Sequence, residues 1–144
     1  MEDQQRLNSL LNEINTYRQQ AELIQQQIEM IQASIAEVDA LFATLDDIEG
    51  KESIEAFVPV GAGSFIKGEL KSTDEIIVSI GSGIAVKKDA EGAREILGGQ
   101  KEDLKDSLDK MLANLQKCTD IVGSLQAQAE QIAAAAQGNM TQMG

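Results

Sequence analysis

Apolar residues recur through the first third of this chain in alternating steps of three and four. The series runs Leu7, Leu10, Ile14, Tyr17, Ala21, Ile24, Ile28, Ile31, Ile35, Val38, Phe42, Leu45, twelve positions without a polar interruption. Sustained 3-4 spacing over more than five heptads marks a coiled-coil seam and not an ordinary amphipathic helix. Glutamine crowds the flanking positions (Gln19, Gln20, Gln25, Gln26, Gln27, Gln32) and keeps such a helix soluble without specifying a charge-matched twin. The spacing predicts a helix from about Asp3 to Glu49, on the order of 70 Å long.

The end of the chain repeats the pattern through Leu97, Lys101, Leu104, Leu108, Met111, Leu115, Cys118, Val122, Leu125, Ala129, Ile132 and Ala136, weakening at Asn139 and Met143. Its start is open. Either Asp89 caps the helix and Gly98-Gly99 is a soft spot within it, or the helix begins after the glycines. Laid antiparallel, the two seams match. If paired positions total 146, every seam residue meets another, large against small: Tyr17 with Ala129, Ala21 with Leu125, Leu10 with Ala136. A slip of one heptad satisfies the period equally, and two helices each pairing with other chains is the competing arrangement.

Nine of the twelve glycines lie between Gly50 and Gly99, and the one proline is Pro59, so the chain divides into three segments: 1–50, 51–90 and 91–144. The centre has strand chemistry. Ala56–Val60 and Ser64–Lys67 flank Gly61-Ala62-Gly63, while Glu75–Ile80 and Ile84–Lys87 flank Gly81-Ser82-Gly83. These read as two β-hairpins joined by the polar turn Lys71–Asp74. Pro59 cannot donate to a ladder and belongs at an edge or bulge. Isolated hairpins are marginal in water, and open edges invite another chain. Val58, Val60, Phe65, Ile66, Leu70, Ile76, Val78, Ile80, Ile84 and Val86 need more cover than one helix pair supplies, which predicts an obligate oligomer joined through the hairpins. The fold class is α+β, a single domain over 1–144.

Composition narrows the chemistry. Twelve Lys+Arg against twenty-four Asp+Glu give a net charge of −12, which argues against nucleic acid or an anionic membrane as partner. The imbalance is steepest in residues 1–50, with two basic and ten acidic side chains. The chain has no histidine, so the commonest general base and metal ligand is missing. A single cysteine, Cys118, excludes an internal disulfide and reads as a small buried apolar residue. The Gly-Ala-Gly and Gly-Ser-Gly elements lack the Gly-Lys-Ser/Thr of a phosphate loop and read as turns. Asp46-Asp47 and Glu102-Asp103 read as solvated acidic surface. No enzyme activity, cofactor or metal is expected. The acidic start Met1-Glu2-Asp3 is unlike a signal peptide, and no run approaches the roughly 18 apolar residues of a membrane span, so a cytoplasmic protein is expected.

Antiparallel helices would bring residues 1–12 and 135–144 to one end. There the second seam frays into small and polar residues while Leu7, Leu10, Leu11, Met140 and Met143 have no lasting cover. Loosely held Leu and Met suit a surface that accepts many apolar partners. A frayed end of no importance is the plain alternative.

The stretch Phe57-Val-Pro-Val-Gly-Ala-Gly-Ser-Phe-Ile-Lys-Gly68, continued by Glu69-Leu-Lys-Ser-Thr-Asp-Glu-Ile-Ile-Val-Ser-Ile-Gly-Ser-Gly-Ile-Ala-Val-Lys-Lys88 and set between two heptad helices, resembles the alpha-type chains of the archaeal-type prefoldin family. The resemblance covers the whole chain, and its specific part is residues 57–88. It implies an ATP-independent molecular chaperone subunit in a hexamer of two alpha-type and four beta-type subunits, whose hairpins form a β-barrel platform bearing coiled-coil arms. It further implies that the arm tips hold unfolded polypeptides and pass them to a group II chaperonin. Carried onto this chain by position, the tip set is Leu7, Leu10, Leu11, Ile14, Ile132, Ala136, Met140 and Met143. A coiled-coil scaffold subunit that binds no client is the alternative reading.

Overall fold

The computed structural model describes residues 2–143; side chains are described through residue 138. The element order is α1 (Glu2–Ile48), β1 (Ser53–Gly61), β2 (Ser64–Lys71), β3 (Ile76–Gly81), β4 (Ile84–Lys88), α2 (Ala90–Met143). Two long helices thus flank two antiparallel hairpins, as the periodicities predict. The chain forms two compact units, one of residues 1–32 with 106–144 and one of residues 33–105.

In the first unit the heptad seam is the buried stripe. Ile14, Ile28, Cys118, Leu125 and Ala129 are buried, and the remaining described seam positions from Leu7 to Ile31 and from Leu108 to Ala136 are half-buried. Gly123 and Gly138 do not interrupt α2. One helical glycine costs only about 1 kcal/mol against alanine, and Ala133–Ala136 ahead of Gly138 are the strongest helix formers available. The fraying expected before Asn139 therefore does not extend to the backbone; the side chains of Asn139, Met140 and Met143 lie outside the described residues.

In the second unit the start of α2 is settled by a cap. The Asp89 carboxylate accepts a hydrogen bond from Gly92 N at 2.7 Å, and its carbonyl accepts one from Ala93 N at 2.9 Å. The carboxylate satisfies a first-turn amide that has no partner within the helix, and the carbonyl accepts the first bond of the helix itself. Gly98 and Gly99 consequently lie inside α2. The core of this unit is Leu45, Val78, Ala93 and Leu97, with Val38, Phe42, Ile48, Ile76, Val86 and Ile96 packed against it. The last turns of α1, the first turns of α2 and the second hairpin meet there.

Ion pairs fix the direction and register of the helix ends. Arg94 bonds Asp46 at 2.6 Å and Glu49 at 2.8 Å, and Lys101 bonds Asp39. Moving seven residues forward on α2, from 94 to 101, moves the partner seven residues back on α1, from 46 to 39, so the helices run antiparallel. The pairs Asp39–Lys101 and Asp46–Arg94 total 140 and Glu49–Arg94 totals 143, whereas the alignment chosen on size matching totals 146. That alignment sets Leu45 against Lys101. Instead Leu45, at 1% exposure, shares its cluster with Leu97 and Ala93. A charged Lys101 cannot face a fully buried leucine, and its ammonium goes to Asp39 at the flank. The helix ends are therefore slipped from that alignment, their ion pairs totalling 140 to 143.

Both hairpins turn on the same device. Gly61 pairs with Ser64 and Gly81 with Ile84, leaving Ala62-Gly63 and Ser82-Gly83 as two-residue loops. All four loop residues have positive φ (49° and 75°; 54° and 76°), as a type I′ turn requires. Gly61 and Gly81, at φ of 115° and 100°, close a register shift that follows Pro59 in one hairpin and Ser79 in the other. Glycine at these turns therefore supplies both the loop and the bulge, and Pro59 sits beside the bulge, a place where proline is tolerated in a strand.

Candidate functional site

The hairpin faces follow from alternation along each strand. In the first hairpin Ile54 pairs with Leu70, Ala56 with Gly68 and Val58 with Ile66, so one face is apolar from base to tip. The opposite face carries Pro59 opposite Phe65 and Phe57 opposite Lys67, then Glu55 opposite Glu69, with Glu55 bridging to Lys67 at 3.4 Å. This face is aromatic at the tip and charged at the base. Apolar side chains thus stand on both sides of the tip, and almost nothing of the chain covers them: Phe57, Val58, Val60, Phe65, Ile66 and Leu70 are all exposed. Gly68 lets the strands lie close beneath Val58, since a Cβ there would come within 3.2 Å of the Val58 Cγ2.

The second hairpin divides its surface. Val78 pairs with Val86, and with Ile76 these side chains turn into the core formed by the helix ends. Ile77 on the other face is 70% exposed, and Ile80 and Ile84 at the tip are exposed as well. Two further contacts hold the hairpins: the Thr73 hydroxyl donates to the Lys51 carbonyl at their base, and Gln100 Nε2 donates to the Ser79 carbonyl at 3.1 Å near the turn of the second.

Of the ten assembly residues expected from sequence, Val58, Val60, Phe65, Ile66, Leu70, Ile80 and Ile84 are open to association. Ile76, Val78 and Val86 instead serve the chain's own core. Sequence reasoning missed Phe57 and Ile77, the two most exposed apolar residues of the strands. The signal was present: Phe57-Val58 and Ile76-Ile77-Val78 break the apolar/polar alternation, and an unbroken apolar run marks a strand covered on both faces.

The expected tip residues lie in the first unit. Leu11 is 48% exposed, Leu7, Leu10, Ile132 and Ala136 are half-buried, and Ile14 is packed in the seam at 3%. Met140 and Met143 fall outside the described side chains. Leu23 and Met30, one heptad apart, are also strongly exposed, off the seam.

No described group of histidine, cysteine or acidic side chains is arranged to hold a metal ion. An open cleft of about 660 Å³ is lined by Glu49, Lys51, Glu52, Asp74, Asp89 and Glu91 among others. Its five carboxylates surround Lys51 and the hydroxyl side chains of Ser72 and Thr73. Next to it, the hydrogen bond that Arg94 donates to Asp46, reinforced by the charges of Asp46 and Glu49, raises the Arg94 pKa above its ordinary value despite desolvation. Arg94 remains a fixed cation. No helix among the described residues is long and apolar enough to cross a membrane.

Comparison with known proteins bears on this geometry. The family model described as "Prefoldin subunit" matches residues 17–135. The chain is similar to the prefoldin subunit alpha of Methanobrevibacter smithii, 74% identical over 144 residues that cover all of this chain and 99% of the relative. It is also similar to the prefoldin subunit alpha of Methanospirillum hungatei, 32% identical over 142 residues, covering 99% and 95%. Among solved structures, a chain of the filamentous PFD from Methanocaldococcus jannaschii, determined by cryo-EM, superposes with a TM-score of 0.54 at 24% identity. That match covers 86% of this chain and 98% of the other, and it speaks for the fold.

Proposed function

This chain belongs to the prefoldin family of chaperone-type subunits, and from that premise we propose that it is the alpha-type subunit of a cytoplasmic, ATP-independent holding chaperone. Its two hairpins join those of beta-type partners, in a hexamer of two alpha-type and four beta-type chains, to close a β-barrel platform. Its helical arms hold non-native polypeptides and release them to a group II chaperonin. The role is binding without catalysis.

The observation that carries the assembly reading is the apolar surface of the hairpins. Phe57 at 72% and Ile77 at 70% exposure, with the seven open residues named above, cannot stay in water on a soluble monomer. Full burial of each Val, Leu, Ile or Phe contributes roughly 1.5–3 kcal/mol, so partner strands recover a large driving force while pairing the free edges. Support for client binding comes from the family and from Leu7, Leu10 and Leu11 in the first unit, whose cover is incomplete. Several arms, each binding weakly, would hold one client by avidity.

Co-expression with a beta-type subunit, native mass determination and an aggregation-suppression assay on the same preparation test this reading. A heterohexamer that protects a denatured protein supports it. A stable lone monomer contradicts the assembly, and a hexamer without protection contradicts the client role in favour of a scaffold.

A further inference from the structure

We propose that residues 98–101 form a built-in bending joint in α2, held shut by two polar tethers. Gly98 and Gly99 are consecutive glycines inside a 54-residue helix. A Cβ added at either would meet nothing within 4 Å, so no close approach within the chain requires glycine there. Glycine is far poorer than alanine as a helix former, and glycine pairs are a recognised cause of helix kinks. The seam is interrupted at the same place. Leu97 is buried before the pair and Leu104 half-buried after it, but the seam position between them is Lys101. Apolar packing that would otherwise hold the turn is replaced by two exposed hydrogen-bonded contacts, Gln100 Nε2 to the Ser79 carbonyl and Lys101 Nζ to Asp39.

Compliance is confined to one helix. α1 has no glycine between Glu2 and Ile48, and its side of the seam, Val38, Phe42 and Leu45, is apolar throughout. α1 is the stiff member and α2 the yielding one, opening at 98–101 without disturbing the Leu45–Leu97 core. Gly123 is a useful contrast: it also has open space around it, but it is single and lies between the seam residues Val122 and Leu125.

Amide hydrogen exchange on the full chain tests the joint. Amides of residues 98–102 should exchange at least about tenfold faster than those of 108–115, which have an unbroken seam. The G98A/G99A variant should remove most of that difference, whereas G123A should leave it in place. Equal protection at 98–102 and 108–115 in the unmodified chain would overturn the proposal. So would failure of G98A/G99A to fold or assemble, because the glycines would then be needed for close approach and not for bending.

Discussion

Asp46 near the end of α1 accepts a hydrogen bond at 2.6 Å from Arg94, 48 positions later and one turn into α2. This contact, with Glu49 as second acceptor, brings the two helices back together after the chain has made both hairpins. Arg94→Ala should therefore lower thermal stability. In a double-mutant cycle with Asp46→Ala, the coupling should be favourable and should shrink as salt is raised, because the carboxylates are mostly exposed. A coupling indifferent to salt would show that Arg94 acts through the packing of its stem.

Register can be tested with the native cysteine. In the first unit the size-matched alignment sets Cys118 against Ile28, whereas a slip of one heptad sets it against Ala21. Ile28→Cys should form an intramolecular disulfide with Cys118 under mild oxidation in the size-matched register, and Ala21→Cys in the register slipped by one heptad, as read by mass and non-reducing electrophoresis.

Leu45 is 1% exposed at the centre of the core beneath the second hairpin. Leu45→Ala should destabilise by about 2–5 kcal/mol, measured by denaturant unfolding at fixed protein concentration. Leu23→Ala, at a side chain 60% exposed and off the seam, should stay within about 0.5 kcal/mol.

A charge on either face of the first hairpin tip should block association. Phe57→Asp and Ile66→Asp lie on opposite faces, and neither residue belongs to the core cluster. Each variant should keep its helical circular dichroism yet fail to reach the native mass of the assembly. If only one variant fails, the tip is covered on one side only.

The helices were legible because twelve and eleven apolar seam positions repeat a single period, with Lys101 the one polar exception in the second stretch. The hairpins were legible because glycine turns bracket β-branched runs. Register was not, since a seam of interchangeable Ile, Leu and Ala fits several offsets; ion pairs such as Asp39–Lys101, which depend on three-dimensional proximity, discriminate among them. The start of α2 needed the Asp89 cap to be seen, because propensity alone argues against a helix through Gly98-Gly99. The assembly surface was legible in its residue types but not in its sides: Val78 and Ile77 are adjacent and alike, yet one fills the chain's own core and the other is exposed.

Removing residues 1–10 and 137–144 from the assembled complex, then assaying suppression of aggregation of a denatured protein, tests the central claim most directly. The account predicts an unchanged native mass together with loss of protection. Full protection by the shortened complex would contradict it, because the helix ends would then have no part in holding non-native chains.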